Sequence, residues 1–487
     1  MSLRGFLDEL VRRGVLKAAV AYGAVAWLLL EVLSLVFQNF DAPGWVLKVI
    51  TALFLAGFPV ACLMAWGFDI TSKGVRLVGF RTGKPPESLA ASTPTIAVLA
   101  FDNLSADPGQ EYFSDGIAED IITDLSKLAE LRVIARNSSF AYKGKAVDVK
   151  RVGSELGVRY VLEGSVRKVG ERIRLTSQLI DAASGTQVWA ERYDRDLTDI
   201  FAVQDELTLR IIEALRIRLS PEKQERLTRP SGIGLEAHSL FLRGREQAFL
   251  LTEHGNVEAR RLLARAMELS PNFAAAQAYI AFTHVDDYVM GRGEHPEASL
   301  EKGVAAARQA CAADPEDPDA LWVMSLALQW SKRHDESLEV VRRCLAVAPN
   351  SAVGHLQLAN LLHYMGDAEE SLSTLDRYVR LDPLYPDVAL YFRAEAQAAL
   401  GRYEAAVATL KQRLERNPRS QTTYALLASC YGHLGRVEEA RAAWAEVLTI
   451  EPGFSLERRR RVLPYRTPEI FERRLDGLRK AGLPIHM

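Results

Sequence analysis

The chain has 487 residues, and its 60 Lys and Arg are balanced by 62 Asp and Glu, giving a formal net charge of −2. This balance lacks the overall positive charge with which nucleic-acid-binding proteins contact phosphates, so no nucleic-acid partner is expected. The length allows several domains. Four cysteines occur and none forms a Cys-x-x-Cys pair, so the cysteines indicate neither disulfides nor a metal site. We expect no cofactor and no metal.

The N-terminal part is strongly apolar. A basic amphipathic segment, residues 1–17, precedes two apolar runs, Ala18–Phe37 and Val49–Phe68. Each run has the roughly 20 residues that a helix needs to cross a bilayer. A cleaved signal peptide does not fit, because the first run is too long and no small-residue cleavage site follows it. The sequence therefore predicts a transmembrane helical hairpin over residues 18–68, in contact with the lipid bilayer.

The charges around the two runs predict their orientation. Basic residues precede the first run and follow the second, whereas the loop between them carries Asp41 and, nearby, only Lys48. The positive-inside rule places both termini and the soluble domains in the cytoplasm. If one run only lies at the interface, this topology reverses. Glu31 is an ionisable side chain at membrane depth, which marks a functional or partner contact or a protonated side chain near one leaflet.

A Pro-, Ser- and Ala-containing linker over residues 69–94 leads to a middle domain over residues 95–229. Short apolar runs alternate there with segments of helical periodicity, which predicts a mixed α/β domain. The order is βαβαβββα. The predicted elements are Thr95–Phe101, Gln110–Leu128, Leu131–Ala135, Asp148–Leu156, Val158–Val169, Arg172–Ile180, Gln187–Asp194 and Asp199–Leu219.

Two features of the middle domain are candidate sites. Its first helix carries four carboxylates, which indicate either a cation site or, more simply, a solvated helix face: Asp115, Glu119, Asp120 and Asp124. A turn-rich loop after the second strand carries Arg136, Asn137 and Ser138. This loop either contacts a small ligand or a protein partner, or only caps its own turn.

The C-terminal half is periodic. Prolines recur at steps of 34, 34, 35 and 34 residues, at Pro315, Pro349, Pro383, Pro418 and Pro452. Such a fixed period is typical of a solenoid of helix–turn–helix units. The sequence predicts about six units over residues 236–454. Residues 455–487 are expected to hold a capping helix, Pro468–Ala481, and a tail, because a repeat array needs its last apolar face covered.

Small residues recur in phase within these units, at Ala359, Ala394 and Ala428. With the proline spacing, they make this region resemble the tetratricopeptide repeat (TPR). The resemblance implies that the first helix of each unit lines a groove that binds an extended or helical peptide. The groove positions, each with a packing or a contact role, are Trp322, Gln329, Trp330, Asn360, His363, Tyr364, Tyr391, Glu395 and His433.

The middle domain carries a second resemblance. The stretches IAVLAFDNLSADPGQEYFSDGIAEDI and LIDAASGTQVWAERYDRDLTDIFAVQDEL are similar to those of bacterial proteins with a TolB-amino-terminal-like (FlgO-like) domain. One departure is Ala100, where these proteins commonly have proline. The resemblance implies an interaction protein of the bacterial inner membrane or envelope. Some relatives carry a nucleotide-cyclase domain, and others a winged-helix DNA-binding domain.

The predicted architecture is thus multidomain: a two-helix transmembrane anchor, a mixed α/β domain and an all-α TPR solenoid. We expect a non-catalytic, membrane-tethered scaffold or sensor that binds protein partners through the groove and the α/β domain, and homo-oligomerisation remains open. The alternative is a regulatory component of nucleotide-cyclase signalling or transcription control. The segments before the first apolar run and after the last repeat are too short for a cyclase or helix-turn-helix domain, so we expect neither in this sequence.

Overall fold

The computed structural model describes the backbone of residues 68–71 and 74–77, and residues 93–484 apart from 106, 108–110, 146–147, 228–231 and 294. The chain divides into two units, residues 1–91 and 92–487. In the first, strand β1 (Phe68–Thr71) pairs antiparallel with β2 (Gly74–Leu77). Glu31 and the predicted spans, apart from Phe68 at the start of β1, lie outside the described residues. Among the helices that are described, none is long and apolar enough to cross a membrane.

The second unit begins with the middle domain, whose six-stranded sheet has the order β5-β3-β6-β7-β8, with β4 paired to β6. β3 runs parallel to β5 and β6, and the long strands β6, β7 and β8 form antiparallel hairpins. The strands are β3 (Thr95–Val98), β4 (Asp102–Asn103), β5 (Arg132–Val133), β6 (Tyr160–Val169), β7 (Arg172–Asp181) and β8 (Thr186–Asp196). The helices are α1 (Glu111–Ser126), α2 (Arg136–Phe140), α3 (Val149–Leu156), α4 (Ile200–Ala214) and α5 (Pro221–Leu227).

The alternating pattern of β7 explains how the sheet is covered. Ile173, Leu175 and Leu179 point into a core shared with α1 and α4, while Val161 on β6 belongs to a smaller core under α3. The predicted order βαβαβββα is therefore present with three additions, β4, α2 and α5. All three are short and mostly polar, so none carries a hydrophobic period from which it could be predicted.

Twelve helices follow the middle domain as six antiparallel pairs. Their bounds are α6 (Leu235–Phe249), α7 (Glu253–Leu269), α8 (Ala274–Met290), α9 (Pro296–Ala313), α10 (Pro318–Trp330), α11 (His334–Val347), α12 (Ala352–Met365), α13 (Ala368–Leu381), α14 (Val388–Ala399), α15 (Tyr403–Arg416), α16 (Gln421–His433) and α17 (Val437–Ile450). Two more helices complete the described chain, α18 (Leu456–Val462) and α19 (Pro468–Lys480).

The repeated small and turn residues have direct roles in this array. Ala359, Ala394 and Ala428 are fully buried where paired helices approach. Gly366 ends α12 in the left-handed conformation, with φ of 101°, which costs glycine little because it has no Cβ. The first helices of successive pairs, α8, α10, α12, α14 and α16, also contact one another. We call these five the inner helices, because together they form one continuous face.

The middle domain and the array are joined at α6, where His238 and Arg245 lie beside Asp120 and Glu119, and at two turns in successive repeats. In the turn before α12, Asn350 donates its side-chain amide to the carbonyl oxygens of Leu128 and Leu131, both at 2.7 Å. In the next turn, the main-chain N–H of Ala135 donates to the carbonyl oxygen of Leu381 at 2.7 Å. The repeat period therefore presents equivalent turns to one side of the middle domain.

We predict that Asn350→Ala lowers the free energy of unfolding by about 1–3 kcal/mol, because two buried carbonyl groups lose their donor. Urea denaturation followed by circular dichroism measures this change. Arg419→Ala is the matched control, since Arg419 follows Pro418 at the corresponding turn two units later and is exposed. Equal destabilisation by the two substitutions would contradict the role of Asn350 at the interface.

Candidate protein-binding site

The inner helices are covered by the chain itself. We define the C-terminal segment as residues 455–484, which contain α18 and α19. Three main-chain groups of this segment bond to successive repeats. Lys332 donates to the carbonyl oxygen of Arg461 at 3.0 Å, and the His334 ring donates to that of Pro464 at 2.6 Å. The main-chain N–H of Arg466 donates to the carbonyl oxygen of Tyr364 at 2.9 Å.

Tyr465 is the aromatic anchor of the segment. Its ring packs edge-to-face on Tyr364, with centroids 4.9 Å apart, and on His363, with centroids 5.9 Å apart. The phenol oxygen lies 3.4 Å from Glu395 Oε1. Such edge-to-face pairs stabilise a contact beyond the area that they bury. One residue of the segment thus bridges α12 and α14.

A buried ion pair fixes α19 above α14. An Arg474 guanidinium nitrogen lies 3.4 Å from Glu395 Oε1, and His363 Nε2 lies 3.2 Å from Glu395 Oε2. Arg474 also donates to the Tyr391 hydroxyl at 3.3 Å. Burial alone would raise the pKa of Glu395, but His363 and Arg474 outweigh it and lower that pKa. Glu395 is therefore held as a carboxylate that recognises a cation.

Two facing glycines let α19 approach α16 closely. A Cβ placed on Gly432 would lie 1.8 Å from the carbonyl oxygen of Gly477, and one on Gly477 would lie 2.3 Å from that of Ser429. At this separation the Ser429 hydroxyl donates to the carbonyl oxygen of Arg474 at 2.7 Å, and His433 Nε2 donates to that of Arg473 at 2.8 Å. The inner face thus bonds to the backbone of the helix as well as to its side chains.

The nine predicted groove residues divide into two groups. His363, Tyr364, Tyr391, Glu395 and His433 contact the C-terminal segment directly. The other four are nine-tenths or more buried within the array: Trp322, Gln329, Trp330 and Asn360. Trp322 packs in an aromatic cluster with Tyr279 and Phe282, and Trp330 packs between Tyr288 and Tyr364.

The predicted contact loop, now α2, touches the chain's own array. The Ser138 hydroxyl donates to the Asp382 carboxylate and accepts from the main-chain N–H of Leu384 at 2.8 Å. The Asn137 amide donates to the carbonyl oxygen of Leu384 at 2.8 Å. Arg136 lies 2.9 Å from Glu119 on α1. These bonds attach α2 to the turn that follows α13 within the chain.

The four carboxylates of α1 are paired with cations or amides. Asp115 binds Lys143, Asp124 binds Lys127, and Glu119 binds Arg136 and Arg245. Asp120 lies 3.2 Å from His238 and accepts from Gln204 at 2.8 Å. Burial raises the pKa of Glu119, whereas His238 and Gln204 outweigh burial and lower that of Asp120. In the described residues, no cluster of His, Cys, Asp and Glu could hold a metal.

The middle domain also has a polar cleft of about 580 Å³ beside the turn that follows α2. It is lined by Glu163 and Ser165 on β6, by Thr176 and Gln178 on β7, and by Lys145 in that turn. This cleft was not predicted, since its strand residues are the ordinary polar positions of alternating strands. Arg474 and Tyr465 were missed too, because the terminal helix was assigned only to capping the array.

The comparisons with known families agree with this division of the chain. Residues 91–210 match the model of the second domain of HilA/YgeH-like transcriptional regulators, and residues 397–456 match a tetratricopeptide-repeat model. The chain is thus a TPR protein with a HilA-like α/β domain before the repeats. Its helical-pair array is of the kind that suits protein–protein interaction.

Two proteins of known sequence are similar to this chain. The "Putative adenylate cyclase 3" of Rhizobium meliloti is 45% identical over 403 residues, which are 82% of this chain and 68% of the relative. The chain belongs to the family of this protein. "Protein FlbA" of Caulobacter vibrioides is 32% identical over 136 residues, 27% of this chain and 22% of that protein.

Solved TPR structures are similar to parts of the chain. TTC0263, a TPR protein of Thermus thermophilus, is 19% identical with a TM-score of 0.33, and the match covers 40% of this chain and 98% of that one. YrrB, described as a TPR protein with an unusual peptide-binding site, is 16% identical with a TM-score of 0.29, covering 39% and 93%.

Proposed function

We propose that this chain is a non-catalytic, membrane-tethered scaffold or sensor that binds protein partners through the inner face of its repeats. The observation that carries this proposal is the inner face itself, which already holds a helical peptide segment through Glu395, Tyr364 and Ser429. A surface that bonds to both the side chains and the backbone of a helix has the chemistry of a peptide-binding groove.

The middle domain acts in this proposal as a TolB-amino-terminal-like (FlgO-like) module fixed to the array. The fixed attachment to the array is supported by the interface around Asn350 and Asp382, which is built from hydrogen bonds between buried groups. Because this interface uses other residues than those that hold the C-terminal segment, the two parts can hold different partners. The sheet, with its polar cleft, is the second contact surface of the scaffold.

The proposed tether is the pair of apolar runs within residues 18–68, with both soluble domains in the cytoplasm of a bacterial inner membrane and Glu31 at membrane depth. Support comes from the length of the two runs and from the basic residues that flank them. Under this proposal the scaffold recruits cytoplasmic proteins to the membrane surface.

We predict cytoplasmic signals from reporters fused after Pro94 and after Met487, because the hairpin returns the chain to the side where it began. Paired cytoplasmic and periplasmic reporters at each position provide the measurement. A third fusion in the loop near Asp41 is the internal control and should report the opposite side. Periplasmic signals at the two outer positions would contradict the tether as proposed.

A second candidate function is a regulatory component of nucleotide-cyclase signalling. It is favoured by the 45% identity to the Rhizobium meliloti protein named putative adenylate cyclase 3. That name describes the whole relative, of which this chain spans 68%. In this candidate the shared region binds and positions partners, and cyclic-nucleotide synthesis belongs to another polypeptide region.

We expect the purified full chain to form no cyclic AMP or cyclic GMP from ATP or GTP with Mg²⁺ or Mn²⁺, above a reaction without protein. Cyclic-nucleotide formation proportional to the amount of chain would contradict the non-catalytic assignment. A chain that is inactive alone but changes the rate of an added cyclase would favour the second candidate over a general scaffold.

A further inference from the structure

The inner face binds its own C-terminal segment through a defined pattern of residues. Phe471, Leu475 and Leu478 are buried on one side of α19 at positions i, i+4 and i+7. On the same side are Arg474, which meets Glu395, and Gly477, which allows the close approach to Gly432. This is the surface pattern of an amphipathic helix bound in a groove.

The groove is selective for this pattern at three points. A cation is required beside Glu395, since a buried carboxylate without its cation strongly destabilises the folded state. A residue without a side chain is required at Gly477, because any Cβ there would collide with the Ser429 carbonyl. An aromatic ring is accepted between His363 and Tyr364, where Tyr465 lies.

The inner helices keep buried polar atoms that have no hydrogen-bond partner in the part of the chain that the structure describes. These atoms are Gln329 Nε2, Asn360 Oδ1 and, beside Tyr465, His363 Nδ1. Buried polar groups left unpaired cost free energy, roughly 1–3 kcal/mol each. A different peptide that reaches these groups would therefore gain interactions that the resident segment does not make.

We propose that the inner face is a binding site for an amphipathic helix of another protein, with an arginine and a glycine on its apolar side, and that residues 463–484 occupy this site until such a partner displaces them. This deepens the proposed scaffold function and rests on it. The partner must compete with a segment held in the same chain. Tethering gives an effective concentration on the order of millimolar, so an external helix binds weakly while the segment is in place.

The test measures binding of a fluorescein-labelled peptide of residues 463–484 to the purified full chain by fluorescence anisotropy. Arg474→Glu places a second carboxylate beside Glu395 and releases the resident segment while leaving the groove unchanged. The variant should bind the peptide at least tenfold more tightly than the unsubstituted chain. Arg479→Ala, which removes a half-exposed arginine from the same helix, is the matched control and should bind like the unsubstituted chain.

Two further arms identify the contact. A labelled peptide carrying Gly477→Val should bind the Arg474→Glu chain at least tenfold more weakly, because its side chain meets the Ser429 carbonyl. The double variant Glu395→Lys with Arg474→Glu exchanges the two charges and restores an ion pair between α14 and α19. Its own segment should therefore occupy the inner face again, and the labelled peptide should bind as weakly as it does to the unsubstituted chain. Tyr465→Ala provides a second way to release the segment if Arg474→Glu lowers the helical circular dichroism of the array.

Three results would overturn the proposal. Equal affinity of the Arg474→Glu and unsubstituted chains would show that the segment does not control access. Absence of binding to both released variants, with the array folded, would make the segment a permanent part of the repeats. Unchanged affinity for the Gly477→Val peptide would place the binding elsewhere. These measurements test the inner face alone, whereas the reporter fusions test the tether and the cyclic-nucleotide assay tests catalysis. Failure of this proposal would therefore leave those two parts of the proposed function standing.

Discussion

The buried carboxylate of Glu395 is the constraint on which the inner face of the repeats depends. A buried carboxylate is stable only when it is paired and hydrogen-bonded, and the array places His363 of the neighbouring inner helix 3.2 Å from it. The C-terminal segment supplies the cation, Arg474. Because these two partners come from different parts of the chain, the same carboxylate contacts the array and recognises the helix that lies on it.

The residues that attach the middle domain differ from those that hold the C-terminal segment on the inner face. The 34-residue period brings Asn350 and Asp382 to the same side of successive repeats, where they bond to the loops of the α/β domain. The C-terminal segment lies instead against the first helices of the pairs. One period thus generates two surfaces, one used for attachment within the chain and one with the chemistry of a peptide site.

Much of this architecture could be predicted from the sequence, because periodicity reports local packing. The proline steps and small residues predict the helix pairs, and the alternation in β7 predicts a sheet with one buried face. The groove positions were predicted from the repeat pattern, but what covers them was not. Arg474 and Glu395 are 79 residues apart, and nothing periodic connects them. A contact between a terminal helix and the inner face depends on three-dimensional complementarity, which a single sequence does not display.

Hydrogen exchange of the unsubstituted full chain, followed by mass spectrometry, tests the displaceable segment most directly. A segment that leaves the groove while the repeats stay folded exchanges by local opening, which needs less free energy than global unfolding. We therefore expect the amides of Pro468–Lys480 to exchange faster than those of the inner helices Val388–Ala399 and Gln421–His433. Loss of protection in all three helices at one common rate would contradict a displaceable segment and make it a fixed part of the array.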